Sequence, residues 1–143
     1  MKKVFKAEMW DKMQYLFRNY YDRMMHCVLY YDGEIDEEAL KRVLAFQIDA
    51  APVLHSRYHN NFIKPYWVVS DWKVEDAFSA QDTDGLEGSV MRFAEQRIPI
   101  GSNVQIRVGL FRCGSKRALA FVVNHMCFDG GDLKYFVTQL CRN

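Results

Sequence analysis

The sequence is short of the features that most often announce a function. It holds only three prolines, and no Pro-, Gly- or Ser-rich stretch marks a linker, so the 143 residues read as one domain, 1–143. No window reaches the ~18 consecutive apolar residues that a membrane-spanning helix needs, so no span is expected. An excess of one charge is missing as well. The 19 basic and 18 acidic residues leave a net charge of +1, which creates no field to draw nucleic acid or anionic lipid, and no nucleic-acid partner is expected. The four cysteines, Cys27, Cys113, Cys127 and Cys141, form no C-x-x-C pair, and no histidine stands at zinc-finger spacing. They read as reduced thiols in the cytoplasm, with no resident metal. G-x-G-x-x-G and the phosphate loop are both absent. The N-terminus has the basic flank of a secretory signal, but Glu8, Asp11 and Lys12 interrupt the apolar stretch that such a signal requires.

Apolar side chains are abundant. Half of the residues are hydrophobic, and 10 Phe, 8 Tyr and 3 Trp supply large rings for a core or a partner surface. A domain of this size buries about 68% of the surface its unfolded chain would expose, enough for a full core.

Trp10, Met13, Leu16, Phe17 and Tyr20 recur at helical spacing and predict an amphipathic helix over 10–20. Met25 to Tyr31 reads as a strand closed by the turn pair Asp32-Gly33. Asp36 is the expected N-cap of a helix that carries Glu37 and Glu38 in its first turn, presents Leu40, Val43, Leu44 and Ile48 on one side, and stops at Pro52. Leu54 to Tyr58 and Phe62 to Val69 read as strands around His59-Asn60-Asn61. Pro65, inside the second, predicts an edge or a bulge. Residues 70–85 read as an irregular connection. Leu86, Val90, Phe93 and Ala94 suggest a short helix that ends before Pro99.

The C-terminal third carries the clearest pattern. Val104, Ile106, Val108 and Leu110 alternate strictly, a polar turn follows at Cys113-Gly114-Ser115-Lys116, and Ala118 to Val123 is apolar on both faces, as in a central strand. The Val104–His125 hairpin should therefore be central. Asp132 reads as the cap of a last helix carrying Leu133, Phe136, Val137 and Leu140. The expected fold is α+β, a two-layer α/β sandwich with a mixed, mostly antiparallel sheet and helices packed on one side.

His125 follows the buried strand directly, in Asn124-His125-Met126-Cys127-Phe128-Asp129-Gly130-Gly131. A sheet fixes the backbone while the ring emerges at the strand end, and imidazole exchanges protons near neutral pH, which suits a general base. A hydrogen-bonded structural histidine fits the same pattern. Two further readings are His125 with Asp129 as metal ligands, for which no third ligand is evident, and Cys127 as a nucleophile served by His125. Asp129 could orient the imidazole, anchor an arginine or cap the last helix. Gly130 and Gly131 permit positive φ or close approach of a substrate. His26, His55 and His59 read as strand or loop residues.

This run resembles the H-H-x-x-x-D-G signature of the CoA-dependent acyltransferase superfamily, which includes chloramphenicol acetyltransferase and the condensation domains of nonribosomal peptide synthetases. Gly33 with its capped helix, Pro52-Val53-Leu54-His55-Ser56-Arg57-Tyr58 and Ile98-Pro99-Ile100 resemble that family's order around the signature. The resemblance covers the chain as an N-terminal half only. It implies that His125 is the general base, that Asp129 is structural and that Gly130 keeps a tunnel floor open. The donor would be a CoA or phosphopantetheine thioester acting as co-substrate, with no permanently bound cofactor, and the acceptor a small alcohol or amine. It also implies completion by a C-terminal half or a homo-oligomer partner, since the family's tunnel lies between two halves. Two positions depart from the pattern. Asn124 stands where the first signature histidine would be, and His55 replaces the first arginine of the L-R-x-R-F-like stretch while Arg57 is kept.

Overall fold

A computed structural model describes residues 4–8, 13, 15, 24–60, 64–99, 101–128 and 130–142. Among the described residues, seven strands and three helices longer than a single turn carry the fold, and most can be traced to their local sequence. The first strands are β1 (Val4–Lys6) and β2 (Met24–Asp32), the latter ending at Gly33, whose φ of 107° only glycine adopts without strain. Helix α1 (Glu37–Ala50) starts as expected, with the Asp36 carboxylate accepting from the N–H groups of Glu38 at 3.0 Å and Ala39 at 3.2 Å. Leu44 and Ile48 are fully buried on its inner face, each contributing about 1.5–3 kcal/mol of transfer free energy.

Pro52 ends α1 by opening a single 3-10 turn, Pro52–His55, so the next strand, β3 (Ser56–His59), starts two residues later than the apolar pattern suggests. Proline is favoured at this first position because its missing donor is not needed there. Strand β4 (Tyr66–Val69) pairs with β3 and also with β1, which makes it the centre of a three-stranded antiparallel sheet, β1-β4-β3. The edge or bulge expected at Pro65 is therefore corrected. Pro65 lies just before the strand and uses only its carbonyl, which accepts from the Ala7 N–H at 3.1 Å.

The irregular connection expected over 70–85 is likewise replaced by structure, a one-turn α2 (Val74–Ala77) and a strand β5 (Phe78–Asp82). β5 is an edge strand with one buried residue, Phe78, so its sequence lacks the alternation that betrays a half-buried strand. Helix α3 (Leu86–Glu95) buries Val90 and Phe93. Strands β6 (Ile106–Cys113) and β7 (Lys116–Asn124) form the expected hairpin, with Cys113 opposite Lys116 and Gly114 at φ 59° in the turn between them. They occupy the middle of a four-stranded mixed sheet, β2-β7-β6-β5, in which only β5 and β6 run parallel. Helix α4 (Gly130–Arg142) begins three residues before the expected first helical residue, Leu133, which places Asp132 inside the first turn rather than at the cap.

One face of the larger sheet is covered by α1 and α4, whose Leu40, Leu44, Ile48, Leu133, Phe136 and Leu140 pack on Val108, Leu119, Phe121 and Val123. The α+β sandwich with helices on a mixed sheet is thus as expected. The expectation that the helices lie on one side only is corrected, because α3 packs on the opposite face against Phe111, Ala118, Ala120 and Val122. Coverage on both sides explains why β7 is buried continuously from Arg117 to Asn124. Of the helix expected over 10–20, only Met13 and Tyr15 are described. Both are helical, and the Tyr15 ring meets Tyr58 with centroids 5.1 Å apart. The rest of that segment lies outside the described residues.

Candidate active site

His125 occupies the first position of the turn that follows β7 and is half-buried. Its predecessor, Asn124, is 3% exposed and governs the reversal through two contacts: its side-chain oxygen accepts from the Met126 N–H at 3.1 Å, and its carbonyl accepts from the Cys127 N–H at 2.9 Å. The first contact is an Asx turn laid over the second, a β-turn. Asparagine does this better than most residues because its short amide reaches the backbone two residues on.

The other half of the Asn124 amide points into the protein. Its Nδ2 donates to Gln105 Oε1 at 3.0 Å, and Gln105 Nε2 donates onward to the carbonyls of Ser56 at 3.0 Å and Ser102 at 3.3 Å. The backbones are tied too, since Gln105 N–H donates to Leu54 at 2.7 Å and Asn124 N–H donates to the Gln105 carbonyl at 3.0 Å. Gln105 is 1% exposed, and this set of partners offsets the cost of burying its amide. Sequence reading missed this residue. Little in the sequence pointed to it, for Gln105 follows the polar Ser102 and Asn103 and shares with Arg107 the positions that alternate with Val104, Ile106 and Val108.

The turn is also held by packing. Met126 is buried with Ala7, Tyr58 and Trp67, so the small sheet rests directly on the segment next to His125. Trp67 is fully buried and meets Tyr58 edge to face at 5.2 Å. Cys127 is half-buried, contacts both the main core and this cluster, and points its thiol toward the Val53 carbonyl at 3.8 Å. It packs as a small apolar group.

The remaining sequence-predicted residues are placed as follows. Arg57, on β3, donates through Nε to Asn103 Oδ1 at 2.8 Å, and its Nη2 donates to the same oxygen. Gly130 is exposed at the start of α4, and a Cβ there would meet no atom within 4 Å. Asp129 lies outside the described residues. His55 stacks on Trp72 with centroids 5.7 Å apart and places Nδ1 3.4 Å from the Ser70 carbonyl, so it has a local packing role. His59 stacks on Tyr66 at 5.1 Å, and His26 is exposed on β2. Among the described residues no group of three or more His, Cys, Asp or Glu side chains could hold a metal ion.

A polar cluster marks the far end of the larger sheet. Arg112 bridges Asp82 at 2.9 Å and Glu37 at 3.1 Å, which joins the first turn of α1 to the β5–β6 pair. Arg117, 8% exposed, pairs with Glu34 and donates to the Gly114 and Lys116 carbonyls. A cleft of about 630 Å³, lined in part by Tyr30, Gly85, Glu87 and Lys116, opens at this end. Lys116 and Asn124 are opposite termini of β7, so at strand rise the cleft lies on the order of 25 Å from His125. The fold does not bring these residues to the histidine.

Comparison of the sequence with protein-family models and with characterised proteins gives no significant match. Solved structures do match. The tallysomycin biosynthesis protein TlmII superposes with a TM-score of 0.81 at 14% identity, over 98% of this chain and 38% of that one. The first condensation domain of the calcium-dependent antibiotic synthetase (CDA synthetase) gives 0.78 at 18% identity, over 96% and 38%. A mutant starter condensation domain of rhizomide synthetase, in complex with C8-CoA, gives 0.80 at 10% identity, over 96% and 35%. The chain thus spans little more than a third of the length of these structures, and over that span it has the condensation-domain fold.

Proposed function

We propose that this chain supplies the base-bearing part of an acyl-transfer site, with His125 as general base. An acceptor hydroxyl or amine gives its proton to the imidazole while attacking the carbonyl carbon of a thioester. The tetrahedral intermediate then expels the thiolate, which recovers the proton from the imidazolium, so the base is regenerated. The observation that carries the reading is that His125 is half-buried at the end of a strand buried from Arg117 to Asn124, with its backbone direction set by the Asn124 turn. A base held this way meets the requirement for a repeatable hydrogen-bonding pose. The donor class is a CoA or phosphopantetheine thioester. The condensation-domain fold supports it, as does the C8-CoA held by one of the structural neighbours. In this reading Asp129 is structural, Gly130 leaves room beside the base, and a further protein part, from a longer chain or a second copy, completes the walls.

The test is a thioester assay on the complete protein, following free thiol release and acylated acceptor. His125→Ala should remain folded and lose at least about a hundredfold in transfer rate, in line with the usual weight of general-base catalysis. Undiminished transfer in that variant overturns the assignment.

A second reading, a non-catalytic binding or oligomerisation module, is favoured by one feature. Phe46 and Tyr135 are 75% and 68% exposed on either side of a groove of about 400 Å³ between α1 and α4. Exposed rings flanking an apolar groove are common at partner surfaces. A stable dimer or heteromer without thioester consumption supports this reading, and a monomer with turnover removes it.

A further inference from the structure

The described strands form two sheets, and the turn bearing His125 lies where they meet. The buried side chain of Gln105 touches both, spanning from the Ser56 carbonyl at the start of β3, in the small sheet, to the Asn124 amide at the end of β7, in the large one. Its amide is used from both ends. The NH₂ group gives its hydrogens to Ser56 and Ser102, and the carbonyl oxygen takes one from Asn124. That assignment leaves Asn124 one orientation, with its own oxygen turned outward to the Met126 N–H. A flip of either amide would set oxygen against oxygen or NH₂ against NH₂, so each fixes the other.

We infer that Gln105 is a positioning residue for His125, acting through Asn124 and coupling the direction of the His125 turn to the seating of the small sheet. The inference rests on the acyl-transfer reading for its functional meaning, but its geometry stands on the hydrogen bonds alone. Three observations support it. Gln105 is buried to 1% exposure immediately before β6, where the alternating pattern would accept an apolar residue on its face at no desolvation cost. The backbone of the same residue ties Leu54 and Asn124, so neither end can shift without the other. The residue following the histidine, Met126, both donates its N–H to the Asn124 side chain and packs on the small sheet through Tyr58 and Trp67, which closes the loop of contacts around His125. This also gives a role to Asn124. It holds the turn together with Gln105, whatever a histidine at that position would do.

The test uses the full chain in solution and two folded-state probes, the ring Cε1–H resonance of His125 and hydrogen exchange at the Met126 amide. Gln105→Met keeps the length of the side chain and removes its polar ends. It is expected to shift the His125 resonance and to speed Met126 exchange at least tenfold, while exchange at Val108 and Phe121 in the sheet centre stays as in the parent. Asn124→Ser is the second variant, since a hydroxyl can still accept from Met126 but cannot reach Gln105, and the same faster exchange is expected. Parent-like values at both probes in either folded variant overturn the inference. Turnover separates the two levels of the argument. If the protein transfers acyl groups, Gln105→Met should lower kcat at least tenfold with little change in KM for the thioester. If His125→Ala proves fully active, the acyl-transfer reading fails while the two probes still decide the role of Gln105.

Discussion

Phe93 of α3 and Phe111 of β6 meet edge to face above Gly109, with ring centroids 5.5 Å apart and planes at 78°. The Arg107 guanidinium lies 4.4 Å from the Phe93 ring centre and donates to Gln96, so cation, ring and strand form one stack on the α3 face of the sheet. Gly109 is what allows it. A Cβ there would lie 2.8 Å from a carbon of Phe111 and 3.0 Å from two of Phe93, and both rings are hemmed in by the core.

Gly109→Ala should therefore destabilise the protein by about 1–3 kcal/mol, the usual cost of overpacking. Urea denaturation monitored by circular dichroism measures it. A variant as stable as the parent would mean that α3 can lift from the sheet without loss.

Asp36→Ala removes the acceptor for two N–H groups at the start of α1 and should cost about 1 kcal/mol, the ordinary value of an N-cap. Asp36→Asn retains the acceptor and should recover most of the loss. Thermal unfolding of the two variants side by side separates hydrogen bonding from charge, since Glu37 and Glu38 still face the helix dipole in both.

Burial raises the pKa of the Cys27 thiol above its ordinary 9.0, with the neighbouring Cys141 thiol adding to the effect. The folded state then holds a proton that the unfolded state releases. The stability gained from the neutral thiol is fully present below the unfolded value and is lost as pH rises from about 9 through the folded value. Burial raises the Tyr31 hydroxyl in the same direction, opposed by the charge of Arg117. Stability should fall above pH 9, and Cys27→Ala should make that fall shallower. A parallel pH profile in the variant would assign the loss to Tyr31 or to other groups.

The condensation-domain fold and the position of the candidate base were legible in the sequence to different depths. Strict alternation from Val104 to Leu110 and the two-sided apolar run from Ala118 to Val123 specified a hairpin at the sheet centre, because side-chain period reports directly how many faces of a strand are buried. Asp36, Gly33 and Pro52 marked their boundaries because capping, positive φ and the missing proline donor are properties of single residues. His125 could be singled out because it ends that run.

What the sequence by itself determined, then, was local: where elements begin and end, and which faces turn inward. Tertiary structure decided the pairings. β5 became a strand only by lying parallel to β6, and β4 became a central strand only because the distant β1 joined its free side. The partnership of Gln105 with Asn124, 19 residues apart, and with Ser56, 49 residues apart, is of the same kind. A hydrogen bond between amides remote in sequence leaves no periodicity behind, because its energy depends on where the sheets place two side chains rather than on the residues that flank either one.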